Sequence, residues 1–108
     1  MKPAKDCVTK GDIRTEIDRI DQLLLKLFAE RQTYVRQMAQ IKQHPDEAFD
    51  AERIETMIER LRGRAEDLGL EAGQAEAVWR VLIDWNVDYE RRTIAARLGL
   101  APQGTVLS

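Results

Sequence analysis

Seven side chains of this 108-residue sequence have the types and spacing for chemistry: the cations Arg14, Arg31, Lys42 and Arg53, the acids Asp50 and Glu90, and the amide Asn86. Arg31 is the most telling. From Ile13, apolar residues recur at alternating steps of four and three: Ile13, Ile17, Ile20, Leu24 and Leu27, then Arg31, then Tyr34, Met38 and Ile41. That period predicts a helix seam packed against other helices, with Arg31 inside it. A guanidinium keeps its proton and is costly to bury unpaired, so either an internal carboxylate or an anionic ligand must meet it. A neighbouring stripe carries Arg14, Ile17, Asp21, Leu24, Phe28, Arg31, Val35, Met38 and Lys42. Arg31 and Lys42 share that face with roots about 16 Å apart, close enough for two long side chains to grip one small molecule. Arg14 is about 25 Å from Arg31 along the same helix, out of reach of that ligand within one chain. An antiparallel second copy would bring its Arg14 to the Arg31/Lys42 region and create two identical shared sites.

The remaining candidates sit on other elements. Arg53 falls in the first turn of a second helix, an unusual place for a cation given the helix dipole. On a third helix, Trp79, Ile83, Asn86 and Glu90 form a stripe in which an amide and a carboxyl share one side at a spacing of four. Four cations, one carboxyl and one amide would suit a small dianion. The plainer reading stands beside this one. A single arginine commonly snorkels to solvent, and Lys42 near a helix end complements the dipole. Trp79, Trp85, Tyr34 and Phe28 suit core packing, and Glu90 next to Arg91 and Arg92 is an ordinary surface pattern. Periodicity alone leaves a ligand-binding helical dimer and a plain helical interaction module both open.

The elements that position these residues are three helices. Thr9 and Asp12 resemble a capping box. Helical spacing then continues to about Gln43 and stops before His44-Pro45, where the proline disfavours continuation. A polar loop spans His44 to Phe49, and Asp50 is a plausible N-cap for a second helix with the seam Ala51, Ile54, Ile58, Leu61, Ala65 and Leu68, stopped by Gly69. A third helix is expected from about Ala72 to Arg97, with Val78, Leu82, Trp85 and Tyr89 as its apolar stripe and Gly99 at its end. No strand pattern and no internal repeat appear. The fold class is all-α: three helices per chain, one of them very long, in a single domain spanning 1–108. Its core runs from about 10 to 98, and a tail over 100–108 has no period and is expected to fray. At about 1.5 Å per residue the first helix approaches 50 Å, against a radius of gyration near 13 Å for a compact domain of about 100 residues. Its seam therefore calls for a partner, and a second copy gives an intertwined homodimer.

Composition narrows the function. The chain is 44% hydrophobic and 33% charged, with 17 cations against 19 anions and a net charge of −2, so a globular domain without a nucleic-acid footprint is expected. The single Cys7 excludes an intrachain disulfide, residues 1–7 hold no apolar leader core, and no apolar run is long enough to span a membrane, which points to a soluble cytoplasmic protein. One histidine, His44, and one cysteine do not make a zinc site, and no phosphate-binding glycine motif is present. No cofactor is expected.

Taken together, Asp12-Ile-Arg14-x-x-Ile-Asp-x-Ile-Asp21, Leu27-x-Ala-Glu-Arg31, Ile41-Lys42 and Asp50-Ala-Glu-Arg53 resemble the all-helical chorismate mutases over about residues 12–92. The N-terminal Asp-Cys and the Asp84-Trp85 pair look closer to the branch that includes isochorismate pyruvate lyases. The resemblance implies an intertwined dimer acting without cofactor on a small dicarboxylate enol ether, rearranged to prephenate. It implies that Arg31 and the neighbouring subunit's copy of Arg14 clamp carboxylates and that Lys42 donates to the ether oxygen and a carboxylate. It further implies that Arg53 adds positive charge, that Asn86 donates to a carboxylate, and that the loop near Asp50 lies close to the ring hydroxyl. Such a rearrangement needs a substrate folded into a chair and a cation at the oxygen of the breaking bond. Two positions depart from the pattern. Ile54 stands where these mutases commonly carry a glutamate that holds the ring hydroxyl, and Glu90 stands where they carry a glutamine that donates to the ether oxygen. An ionised glutamate only accepts hydrogen bonds, so Glu90 would act as a catalytic donor only when protonated, and mutase efficiency is expected to fall as pH rises.

Overall fold

A computed structural model describes residues 1–100, so the expected tail lies outside the described residues except for Leu100. The described chain is all-helical: α1 spans Lys10–Ile41, α2 Ala51–Asp67 and α3 Ala72–Arg97, with short 3-10 turns at Ala4–Asp6 and Pro45–Ala48. It divides into two compact units, Met1–Tyr34 and the part from Val35 onward, with the boundary inside α1.

In the first unit the start of α1 is fixed by the expected reciprocal cap. Thr9 Oγ1 accepts from the Asp12 amide at 3.0 Å, and Asp12 Oδ2 accepts from the amides of Val8 and Thr9 at 3.0 and 3.3 Å. The Val8 amide, foremost, draws the Asp12 carboxyl below its usual range. The hydrogen bond from Arg19, at 2.9 Å, does the same for Glu16. The apolar seam beyond this cap is uncovered: Ile13, Ile17, Ile20, Leu24 and Leu27 are 40 to 61% exposed. The same seam continues exposed through Tyr34, Met38 and Ile41. Towards its C-terminal end α1 is covered instead on the stripe Phe28, Gln32, Val35, Ala39 and Lys42, where Ala39 is fully buried. The seam read from the sequence is thus exposed among the described residues.

In the second unit α2 and the Pro45–Ala48 turn both pack on α3. Asp50 caps α2 as expected, its Oδ1 accepting from the Arg53 amide at 3.0 Å. His44 opens the 3-10 turn: its Nδ1 accepts from the Asp46 amide, while Glu47 reaches back to the amides of Gln43 and His44. The lone histidine is thereby a turn residue. Both α2 and α3 end in the same motif. Gly69 and Gly99 have φ of +81° and +72°, and the following residues, Leu70 and Leu100, donate back to the carbonyls of Ala65 and Ala95, each at 2.8 Å. Glycine at these positions avoids the steric penalty a side chain would meet there.

The buried face of α3 is not the stripe its most apolar residues suggest. Val78 and Trp85 are 46 and 57% exposed, whereas Ala75, Ile83, Asn86, Glu90, Ile94 and Ala95 are buried. The stripe Val78, Leu82, Trp85 and Tyr89 lies about a third of a turn away, where Trp85 and Tyr89 stack on each other at 5.8 Å. Hydropathy period selects the richest apolar stripe. It cannot see that α2, through Ile58 and Ala65, and the Pro45–Ala48 turn meet α3 on the neighbouring one.

A salt-bridge network ties α2 to α3. Arg80 grips Glu55 through its two terminal guanidinium nitrogens, at 3.2 and 3.0 Å, and donates from Nε to Glu76 at 2.7 Å; Arg62 meets the other Glu76 oxygen at 2.6 Å. Bonds from Arg80 and then Arg62 hold the Glu76 carboxyl below the usual 4.5. Glu55, followed by Glu76, raises Arg80 further above its already high value.

Candidate functional site

The buried face of α3 contains two polar residues in an otherwise apolar row, Asn86 at 5% and Glu90 at 9% exposure. They are one helical turn apart, so their side chains share a side. Glu90 Oε1 accepts from Lys42 Nζ at 2.7 Å, with both side chains largely buried. Lys42 follows the last residue of α1, its amide still bonded to the Met38 carbonyl. Its own carbonyl accepts from the Arg97 guanidinium at the end of α3. The ammonium is therefore held from both ends, by the clamp on its backbone and by Glu90 on its tip. Sequence reasoning missed Arg97; a cation in the last turn of a helix ordinarily serves that helix's own carbonyls.

Asn86 donates from Nδ2 to the Leu82 carbonyl at 3.1 Å, while its Oδ1 is buried and has no hydrogen-bond partner among the described residues. An unmet buried acceptor typically costs about 1–3 kcal/mol. In a fold of this size that is a large charge against stability for a group the core does not need.

The other expected residues separate into two groups. Asp50 and Arg53 stand together at the start of α2, both exposed, with the Asp50 carboxylate engaged in capping. Arg14 and Arg31 belong to the first unit. Arg14 is exposed, but Arg31 is half-buried and its Nη1 is buried without a partner. Beside it Gln32 has a buried, partnerless Nε2. Gln32 was not among the residues singled out from the sequence. It shows itself only in the structure, on the covered stripe Phe28, Gln32, Val35, Ala39 and Lys42. Among the described residues, the first unit thus holds two buried donors without a partner and the second unit one buried acceptor.

An open cleft of about 330 Å³ in the second unit is lined by Phe49, Asp84, Val87, Asp88 and Arg91. On average these α3 residues point about a third of a turn from Asn86 and Glu90, with Val87 nearer, so the cleft lies beside the buried polar row. Among the described residues no group of histidine, cysteine and acidic side chains could hold a metal ion, and no helix is long and apolar enough to cross a membrane.

Residues 13–91 match the family described as chorismate mutase type II. Over 100 residues, covering 89% of this chain and 99% of the relative, the sequence is 31% identical to a Pseudomonas aeruginosa protein named isochorismate pyruvate lyase. Over 70 residues, 64% of this chain, it is 39% identical to the T-protein of Haemophilus influenzae, of which the match covers 19%.

Proposed function

This chain belongs to the type II chorismate mutase family, and from that premise we propose that it is an enzyme converting chorismate to prephenate by a cofactor-free [3,3] rearrangement. The observation that carries the reading is the buried Lys42–Glu90 pair, with the unmet Asn86 acceptor one turn away. A fold that sought stability alone would fill such positions with apolar side chains, because buried ion pairs seldom add net stability. In this reading Lys42 donates to the ether oxygen as negative charge gathers there, favouring the transition state over the ground state. Arg31, with its unmet Nη1, binds a carboxylate. Arg53 adds positive charge, and the turn leading to Asp50 borders the ring. Arg14 comes from a second copy of the chain, which also covers the exposed Ile13–Leu27 seam in a homodimer.

A second reading has specific support. The relative matched over nearly its whole length is named isochorismate pyruvate lyase, and Ile54 supplies no group to grip a hydroxyl where the mutases have glutamate. Isochorismate differs in where its ring hydroxyl sits, and the same cations would serve its carboxylates while salicylate and pyruvate are formed. A paired assay separates the two: chorismate followed for prephenate, isochorismate for salicylate and pyruvate. Dominant prephenate is expected; dominant salicylate would make lyase the main activity. Arg31→Ala should cost about a hundred- to a thousandfold in kcat/KM. An unaltered rate in that variant would remove Arg31 from the site, whereas no turnover of either compound by the wild type would leave a helical binding module in place of an enzyme.

A further inference from the structure

The carbonyl of Lys42 lies at the end of α1, where backbone acceptors run out of partners from their own helix. The amides that would continue the helix are turned elsewhere. Those of Gln43 and His44 donate to Glu47 at 2.6 and 2.8 Å, and that of Asp46 donates to His44 Nδ1 at 3.1 Å. Pro45 has no amide proton to give, and the Ile41 carbonyl is met instead by Gln43 Nε2 at 3.1 Å. The Lys42 carbonyl takes its donor from a different helix altogether, the Arg97 guanidinium at the end of α3.

The helix α3 thereby touches Lys42 twice. Glu90 and Arg97 are seven residues apart, close to two full turns, so they share a face with roots about 10 Å apart. Glu90 meets the ammonium at 2.7 Å, and Arg97 meets the backbone of the same residue. The two holds differ in what they leave free. An ammonium has three protons, so Nζ can keep Glu90 and still donate to a ligand. Where it can reach is then set by where the root of its flexible four-carbon stem is fixed. Resting on the proposed function, we infer that Arg97 is a positioning residue: it fixes the root of Lys42 so that the ammonium lies at the substrate's ether oxygen as the bond breaks. Arg97 itself stays at the exposed end of α3 and acts only through Lys42. A misplacement of about 1 Å can cost about a hundredfold in rate, which gives one bond to a backbone carbonyl a long lever.

The test is a double-mutant cycle on the full chain, assayed with whichever of chorismate and isochorismate the wild type turns over faster. Arg97→Met should lower kcat by about ten- to a hundredfold and move KM by less than about twofold. In a Lys42→Ala background the same substitution should lower kcat by less than about twofold further, since no ammonium is left to place. A tie that served only the fold would instead act alike in both backgrounds. Should Arg97→Met fail to fold, Arg97→Gln is read in the same way. An unchanged kcat in the single variant, or equal losses with and without Lys42, would overturn the assignment while leaving the proposed reaction standing. A wild type inert towards both isomers would overturn the reaction and the assignment together.

Discussion

Two polar clusters hold α3 in place, and they differ in what they leave over. Near the N-terminal half of α3, Arg62, Glu76, Arg80 and Glu55 form a partly exposed network with carboxylates and guanidiniums paired, two of the contacts in parallel geometry. Near the C-terminal half, Lys42 and Glu90 form a single pair under far deeper cover, with Asn86 one turn away keeping an acceptor unmet. The first cluster is complete and near water, the arrangement of a clasp between two helices. The second is buried and incomplete, which the packing of α3 does not explain. Incompleteness, more than charge, separates a site from a clasp.

The largest effect should come from breaking the buried pair. Lys42→Ala is expected to lower kcat by about a hundred- to a thousandfold and to destabilise the fold by up to about 3 kcal/mol, because Glu90 is left buried without its partner. Adding Glu90→Gln should restore much of the melting temperature and none of the rate. A double variant that recovered turnover would show that the ammonium is structural, and the contrast between the clusters would collapse.

A smaller and more diagnostic effect attaches to Glu90 alone. As an ionised carboxylate it binds Lys42 and offers the ether oxygen no proton; protonated, it is a donor. Glu90→Gln, whose amide can donate where an ionised carboxylate only accepts, should therefore raise kcat by about an order of magnitude. An unchanged kcat in Glu90→Gln would remove Glu90 from the chemistry.

The smallest effect belongs to the clasp. Arg80→Met should lower the melting temperature by about 5 °C or less and leave kcat/KM unchanged. The clasp also has a pH signature. Glu76 is held below 4.5 in the folded chain, so its contribution is present above the unfolded value and is lost as pH falls through the folded one. Thermal melts from pH 7 down to 3 should accordingly show a loss in the acid range that Glu76→Gln reduces. Loss of turnover in Arg80→Met without any change in melting would put the clasp, too, in the site.

Much of this was legible in the sequence, and unevenly. The end of α3 and the cap at Asp50 follow from local signals, a glycine placed after a helix and a side-chain oxygen placed before one. The helical stripes single out Lys42, Asn86 and Glu90 as polar candidates, and the structure shows Lys42 paired with Glu90 and both Asn86 and Glu90 buried. The choice of buried face on α3 was not legible, because it depends on where α2 and the Pro45–Ala48 turn arrive, and helical period says nothing about a neighbour's azimuth. Nor was the direction of the Asn86 amide, which the Leu82 carbonyl decides. Gln32 and Arg97 escaped for the same reason: their importance lies in where their partners are, or are missing, in three dimensions.

The polar interruption of the α3 row carries an implication for anyone who breeds this protein in the laboratory. Libraries sorted for heat resistance, blind to turnover, should be enriched in Leu, Met or Ile at positions 42, 86 and 90, since apolar replacement of a buried ion pair is often neutral or stabilising by about 1–4 kcal/mol. Such winners would fold better and do nothing, and the residues erased first would be a map of the work the natural chain was kept for.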